Sequence, residues 1–178
     1  MRPWRHLGLL LAVLSSLTLV TVRPAAAQSI EYAVKANYLV RFAAFVDWPA
    51  DAFPSPETPF WLCVAGKDPF GATLERAAEA QSAHGRSIRV RRLPAAEPAG
   101  GCHMLYIGQG EATILQRAKG QSGLLLVTDS AVSPQRGAIH FVINNGNVRF
   151  HIDAHAAAHS KIAISSRLLN LALTVRRP

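Results

Sequence analysis

Two cysteines, two methionines and 17% charged residues leave this 178-residue sequence short of the groups that usually carry chemistry. No Gly-x-Ser-x-Gly turn occurs, and Gly120-Gln121-Ser122-Gly123 does not make one, so a hydrolase nucleophile elbow is excluded. No His-Glu-x-x-His pair occurs either, which removes the commonest helical zinc site of a metalloprotease. Cys63 and Cys102 are too few for a thiolate cluster. They leave three options open: one intramolecular disulfide, an intermolecular link, or two free thiols. Beyond the first 22 residues no apolar run is long enough to cross a bilayer. Internal repeats and low-complexity tracts are absent.

What is present begins with an export pattern. Arg2 and Arg5 precede an apolar run from Leu7 to Val22, and Arg23-Pro24 then leads into Ala25-Ala26-Ala27. A positive start, an apolar centre and an Ala-x-Ala site make a secretory signal over residues 1–27, with cleavage expected between Ala27 and Gln28. The mature chain, 28–178, is then one domain, large enough to bury its own core. Cleavage removes three arginines from a net charge of +8, and the remainder is mildly basic. That charge, without interleaved aromatics, argues against nucleic acid as a partner.

Along the mature chain, Ile30 to Trp48 has Tyr32, Ala36, Leu39, Ala43 and Val46 at helical spacing, with Ser29 as N-cap and Pro49 as the stop. Its aromatic stripe, Tyr32, Tyr38, Phe42, Phe45 and Trp48, reads as core, with a partner-facing surface as the other reading. After a proline-rich linker from Pro54 to Pro59, Phe60–Ala65 reads as a strand. Asp68-Pro69 opens a helix reaching about Ala83, and Ile88–Leu93 is a strand with one wet face. A loop with Pro94, Pro98, Gly100 and Gly101 leads to a strand at Cys102–Ile107, a helix at Glu111–Lys119 and a strand at Gly123–Thr128. Ala138–Ile143 and Asn147–Asp153 flank Asn145-Gly146, the strongest short hairpin signal. Ala154 to Val175 reads as helical, with Leu168, Leu171, Ala172 and Val175 on one face. The alternation predicts an α/β fold of three layers: a mainly parallel sheet with helices on both faces and a C-terminal antiparallel hairpin.

Few motifs carry chemistry. Gly108-Gln109-Gly110-Glu111-Ala112-Thr113 follows a strand, but Thr113 stands where a dinucleotide fingerprint needs glycine or alanine, and Glu111 would repel phosphate. It reads as a tight strand–helix turn, and no cofactor is expected. A receiver-type phosphoacceptor is missing, because the strand before Gly108 ends without an aspartate and Asp129 closes the next one. His151, His155 and His159 lie four apart. His155 and His159 would share a helix face and are weak candidates to grip a metal, whereas surface histidines behind an Asp153 N-cap are the plainer reading. Composition and spacing therefore point to an exported binding domain, not an enzyme.

Several segments together resemble the YfiR family of periplasmic regulators. They are Glu31-Tyr32-Ala33-Val34-Lys35-Ala36 through Phe45-Val46-Asp47-Trp48-Pro49, Phe60-Trp61-Leu62-Cys63-Val64-Ala65-Gly66 with Asp68-Pro69-Phe70-Gly71, and Gly85-Arg86-Ser87-Ile88 with Arg91-Arg92-Leu93. Cys102-His103-Met104-Leu105-Tyr106-Ile107-Gly108, Gly137 to Phe141, Val148-Arg149-Phe150 and Ile164-Ser165-Ser166-Arg167-Leu168-Leu169 complete the order. The resemblance implies a dimeric periplasmic repressor that binds the periplasmic sensor region of an inner-membrane diguanylate cyclase. Such a repressor limits cyclic di-GMP signalling and biofilm formation, and is relieved by stress or by an outer-membrane lipoprotein. It also implies that Cys63 and Cys102 form the family's disulfide, while a second disulfide found in some members has no counterpart. Partner contacts are expected at Lys35, Trp48, Arg86 and Arg91, which stand at motif positions and could face outward. The rival reading is a small-ligand sensor with its site at the carboxyl ends of the strands, lined by Gly66–Phe70, Gly108–Glu111 and Asp129.

Overall fold

The computed structural model describes residues 25–94, 99–109 and 112–177. The export signal before residue 25, Pro98 of the long loop, and Gly110 and Glu111 of the strand–helix turn lie outside the described residues. In chain order the elements are α1 (Ala25–Phe42), β1 (Val46–Asp47), β2 (Phe60–Ala65), α2 (Ala72–Glu79), β3 (Ser82–Ala83), β4 (Arg86–Leu93), β5 (Met104–Ile107) and α3 (Ala112–Ala118). There follow β6 (Leu125–Asp129), β7 (Ile139–Asn144), β8 (Asn147–Asp153), α4 (Ala154–His159), β9 (Ala163–Ile164), α5 (Ser166–Leu169) and β10 (Thr174–Arg176).

The main sheet runs β10-β8-β7-β6-β5-β2-β4-β3. Its centre, β4-β2-β5-β6-β7, is parallel throughout. Counted from β2, that is the 2-1-3-4-5 order of flavodoxin-like doubly wound folds. β8 returns antiparallel to β7 across Asn145 and Gly146, whose φ angles of 48° and 75° are those of a type I′ hairpin turn. The fold class read from the sequence is the one observed.

Side chains alternate between two apolar layers, as the period of two requires. Phe60, Leu62 and Val64 of β2, Met104 and Tyr106 of β5, and Leu125 and Val127 of β6 face the larger cluster, with Tyr32, Ala36, Leu39 and Val40 of α1 and Leu74 and Ala78 of α2. Cys63 and Ala65, Leu105 and Ile107, and Leu126 face the opposite way, against Ile114, Leu115 and Ala118 of α3. Near the hairpin, Phe42 meets Phe150 edge to face at 5.0 Å and stacks with Phe141 at 5.7 Å. The aromatic stripe is thus core at Tyr32 and Phe42, while Tyr38, Phe45 and Trp48 are half-buried against that core.

Three elements depart from the sequence reading. The first helix ends at Phe42, and Val46–Asp47 pairs with Ile164 and Ala163 as a two-stranded sheet. Tertiary pairing and the Trp48 indole, which donates to the His103 carbonyl at 3.1 Å, override helical periodicity there. Ser29 accordingly lies inside α1 and does not cap it. The second helix ends at Glu79, and Ser82–Ala83 turns back as an edge strand beside Arg86 and Ser87. Asp68 acts before that helix, accepting from the amides of Phe70 (2.8 Å) and Gly71 (3.2 Å) in an Asx turn. The expected helix over Ala154–Val175 is two short helices separated by β9 and followed by β10. Its break is a Schellman stop: Lys161 takes φ 56°, its amide donates to Ala158, and the Ile162 amide donates to Ala157. A lysine, not a glycine, occupies that left-handed position, so the stop carries no sequence signal.

Candidate functional site

Open α/β sheets place ligands outside the carboxyl ends of their strands, at the point where strand order reverses. Here that point lies between β2 and β5, where the backbones close on each other beside a cavity of about 540 Å³ lined by Tyr32, Lys67, Pro69, Gln109, Ala131 and Val132. Lys67 and Gln109 pair as an isolated bridge across it, and the Gly108 amide donates to the Ala65 carbonyl at 2.7 Å. The backbones approach so closely that a Cβ on Gly108 would lie 2.5 Å from the Lys67 carbonyl oxygen.

Behind this closure lies a buried ionic cluster that sequence reasoning missed. The Lys35 ammonium is fully buried and donates to Asp129 and to Glu31, each at 2.5 Å. Tyr106 donates to the same Asp129 oxygen at 3.1 Å, and the Asp129 carboxylate also accepts from the Ala131 amide at 2.9 Å. The Lys35 ammonium lies 4.7 Å from the centre of the Tyr32 ring. Burial and then the Asp129 charge raise both phenols, that of Tyr32 to about 12. Lys35 therefore does not face outward as expected; it ties α1 to the end of β6.

The other expected contact residues also have partners inside the chain. Trp48 is half-buried, with its ring edge-on to Phe60 at 4.9 Å. Arg86 donates to the carbonyls of Ser55, Pro56 and Thr58 at 2.7–2.8 Å and covers the Phe53 ring, pinning the proline-rich segment. Arg91 donates to Gly100 at 2.6 Å and to the Cys102 sulfur at 3.1 Å, with its guanidinium 5.5 Å from the centre of the Trp61 ring. Cys63 and Cys102 are joined as a disulfide beneath it, both buried. His103, next to that bridge, stacks on Phe53 at 4.2 Å. Its Nδ1 accepts from the Trp61 amide and its Nε2 donates to the Ala52 carbonyl, and burial lowers its pKa. That neutral ring is a structural pin.

The polar groups with capacity to spare gather elsewhere. A cavity of about 710 Å³ opens on the α3 side of the sheet, where α3 covers β5 and β6 but not β7, β8 and β10. Register builds its floor: Thr128 pairs with His140, His140 with His151, and His151 with Thr174. His140 is buried, with its Nδ1 2.8 Å from the Thr128 hydroxyl, and the His151 Nδ1 lies 2.6 Å from the Thr174 hydroxyl. Burial, then the Arg136 charge, lowers both imidazoles, His140 to about 4. Around the rim stand Lys119, Arg136, Arg176, His155 and His159. Asp153 is the sole carboxylate in the lining; it caps α4 at the Ala156 amide, as expected from sequence, and pairs with Arg176 at 3.2 Å. His155 and His159 have ring centres 4.4 Å apart and are exposed, and among the described residues no three His, Cys, Asp or Glu side chains form a metal-holding group. Of this site the sequence showed His151, the Asp153 cap and the His155–His159 pair. A histidine inside the apolar run Ala138–Ile143 was the available signal for the rest.

The described residues thus form a doubly wound α/β domain with no helix long and apolar enough to cross a membrane. Residues 32–173 match the model of the YfiR/HmsC-like family, and the chain belongs to that family. No curated protein matches the chain. The family regulates diguanylate cyclase signalling from the periplasm and is regulatory rather than catalytic.

Proposed function

We propose that this protein is exported by its cleaved signal, binds the periplasmic sensor region of an inner-membrane diguanylate cyclase as a homodimer, and holds the cyclase inactive, with an outer-membrane lipoprotein as a competing partner. The observation that carries this reading is the family match over residues 32–173. The expected cleavage, between Ala27 and Gln28, falls in the first turn of α1 and leaves Ile30 and Val34 on the mature protein. These are exposed apolar side chains on α1, and exposed Ile143 on the hairpin lines the same groove. Such a patch is the surface a protein partner would cover. Trp48, Arg86 and Arg91 then act by shaping the loops they hold. To repress, the protein must bind the cyclase's inactive state better than its active one.

The test is capture from detergent-solubilised native envelope on the oxidised mature protein, repeated after reduction, with Ile30→Asp and Val34→Asp variants alongside. Recovery of a membrane protein carrying both a periplasmic sensor region and a cytoplasmic cyclase domain, weakened by either variant, is the expected result. Loss on reduction would make Cys63–Cys102 a redox gate, whereas recovery in both states would leave it structural. Failure to recover any such cyclase would overturn the proposal.

A further inference from the structure

The histidine–arginine cavity has the marks of a site built to receive an anion, and it does not depend on the regulatory reading above. The Nδ1 of His140 is engaged by its neighbours. The Thr128 hydroxyl oxygen already accepts from the Gly137 amide at 2.8 Å, so its single hydrogen has two acceptors to choose from. One is the His140 Nδ1 at 2.8 Å and the other is the Ile139 carbonyl at 3.5 Å, the outer limit of a hydrogen bond. Either direction keeps that shorter contact, because the hydroxyl oxygen has a second lone pair, so Nδ1 is engaged in both neutral tautomers and an anion in the cavity selects the one with its proton on Nε2. That Nε2 belongs to a side chain only 3% exposed that lines the cavity, and it has no hydrogen-bond partner among the described residues. It is therefore open to a ligand in the space before it.

Charge points the same way. Arg136 and Lys119 have no ion-pair partner among the described residues, and Arg136 sits close enough to depress both floor imidazoles. The one lining carboxylate, Asp153, is committed to Arg176 and to α4. A metal ion fits poorly, because the Arg136 guanidinium and the Lys119 ammonium repel a cation and among the described residues no three metal-ligating side chains form a group. The cavity's 710 Å³ lies within the range of small-molecule sites, and Leu124 and Leu126 give it apolar walls.

We propose that this cavity binds a small organic oxyanion, a phosphate monoester or a carboxylate, with the charged group on His140, His151 and Arg136 and the apolar body against Leu124 and Leu126. The shared chemistry is an oxygen-bearing anion on an apolar body; two probes separate its sources.

The experiment is calorimetric titration of the mature protein at neutral pH in an anion-poor buffer with phenyl phosphate and with benzoate, followed by imidazole proton spectra of the complex. Saturable binding of either probe, with shifts at His140 and His151, is expected. Phenyl phosphate alone would identify a phosphate ester site, and benzoate alone a carboxylate site. Arg136→Gln, an exposed position that tolerates change, should weaken binding about tenfold or more, as loss of a charged hydrogen-bond partner does. His140→Asn should do the same, and Arg117→Gln on α3, outside the cavity lining, should leave affinity unchanged. Absence of binding by both probes up to ~10 mM, an affinity weaker than any specific site needs, would overturn the proposal. So would binding that Arg136→Gln leaves intact.

Discussion

The two faces of the sheet are finished differently. On one, α1 and α2 lie over apolar side chains from β2 through β8, and the polar cluster set among them, Lys35 with Asp129 and Glu31, is paired. On the other, α3 is only seven residues long and covers β2, β5 and β6 around the disulfide. Beyond its edge the strands carry Thr128, His140, His151, Asp153 and Thr174 in place of leucine and valine. A sheet face that no helix covers has no reason to be apolar, and this one has become a polar cavity. The first face therefore sets stability, and the second holds the groups free to meet a ligand.

The sharpest way to break this comparison is at the paired cluster. Lys35→Met removes the cation and leaves Asp129 buried beside Tyr106, and removing one partner of a buried pair costs about 3–5 kcal/mol. Urea unfolding should show that loss. The double variant Lys35→Met with Asp129→Asn should recover more than half of it, because the amide oxygen can still accept from Ala131 while its nitrogen donates to the Tyr106 hydroxyl oxygen, without carrying charge. A single variant as stable as the parent would mean that the pair is not sealed in solution.

Next in size is the covalent tie on the other face. Cys63 and Cys102 are 39 residues apart, and closing a loop of that length is worth about 4 kcal/mol in the chain-entropy picture, with ~2–4 kcal/mol typical. Cys63→Ala with Cys102→Ala should lower stability within that range. A loss greater than that of Lys35→Met would reverse the ranking of the two faces.

The legible parts of this molecule were those decided locally. Asn145-Gly146 needs left-handed φ at both residues, and it turned where it read as turning. Asp153 capped α4, and alternation in β4 put Ile88 and Val90 on the core face. What was not legible depended on partners distant in sequence. Lys35 sits at a helical position that reads equally well as solvated, and only Asp129, 94 residues on, makes it core. The alanine-rich stretch after Asp153 favours helix, yet Lys161 turns left-handed because the Ser160 carbonyl accepts from Gly123 and β9 pairs with β1. The cavity assembles residues from four strands and two helix ends, with no shared spacing to reveal it.

The smallest effect is the most specific to the polar face. His140 has its pKa lowered from 6.5 to about 4, first by burial and then by Arg136, against a smaller opposing pull from Asp129. Between those values the unfolded chain binds a proton that the folded chain refuses, so stability rises with pH across the window from about 4 to 6.5 and falls as acid is added. A single group of this kind contributes a slope of at most ~1.4 kcal/mol per pH unit. His140→Asn removes the group, and unfolding free energies measured at intervals through the window should rise less steeply with pH in the variant. His103 and His151 are lowered in the same direction but remain in both proteins, so the difference between the two slopes isolates His140. Parallel slopes would mean that the ring is solvated and free to protonate. The cavity floor would then not be the desolvated polar surface that separates this face from the other.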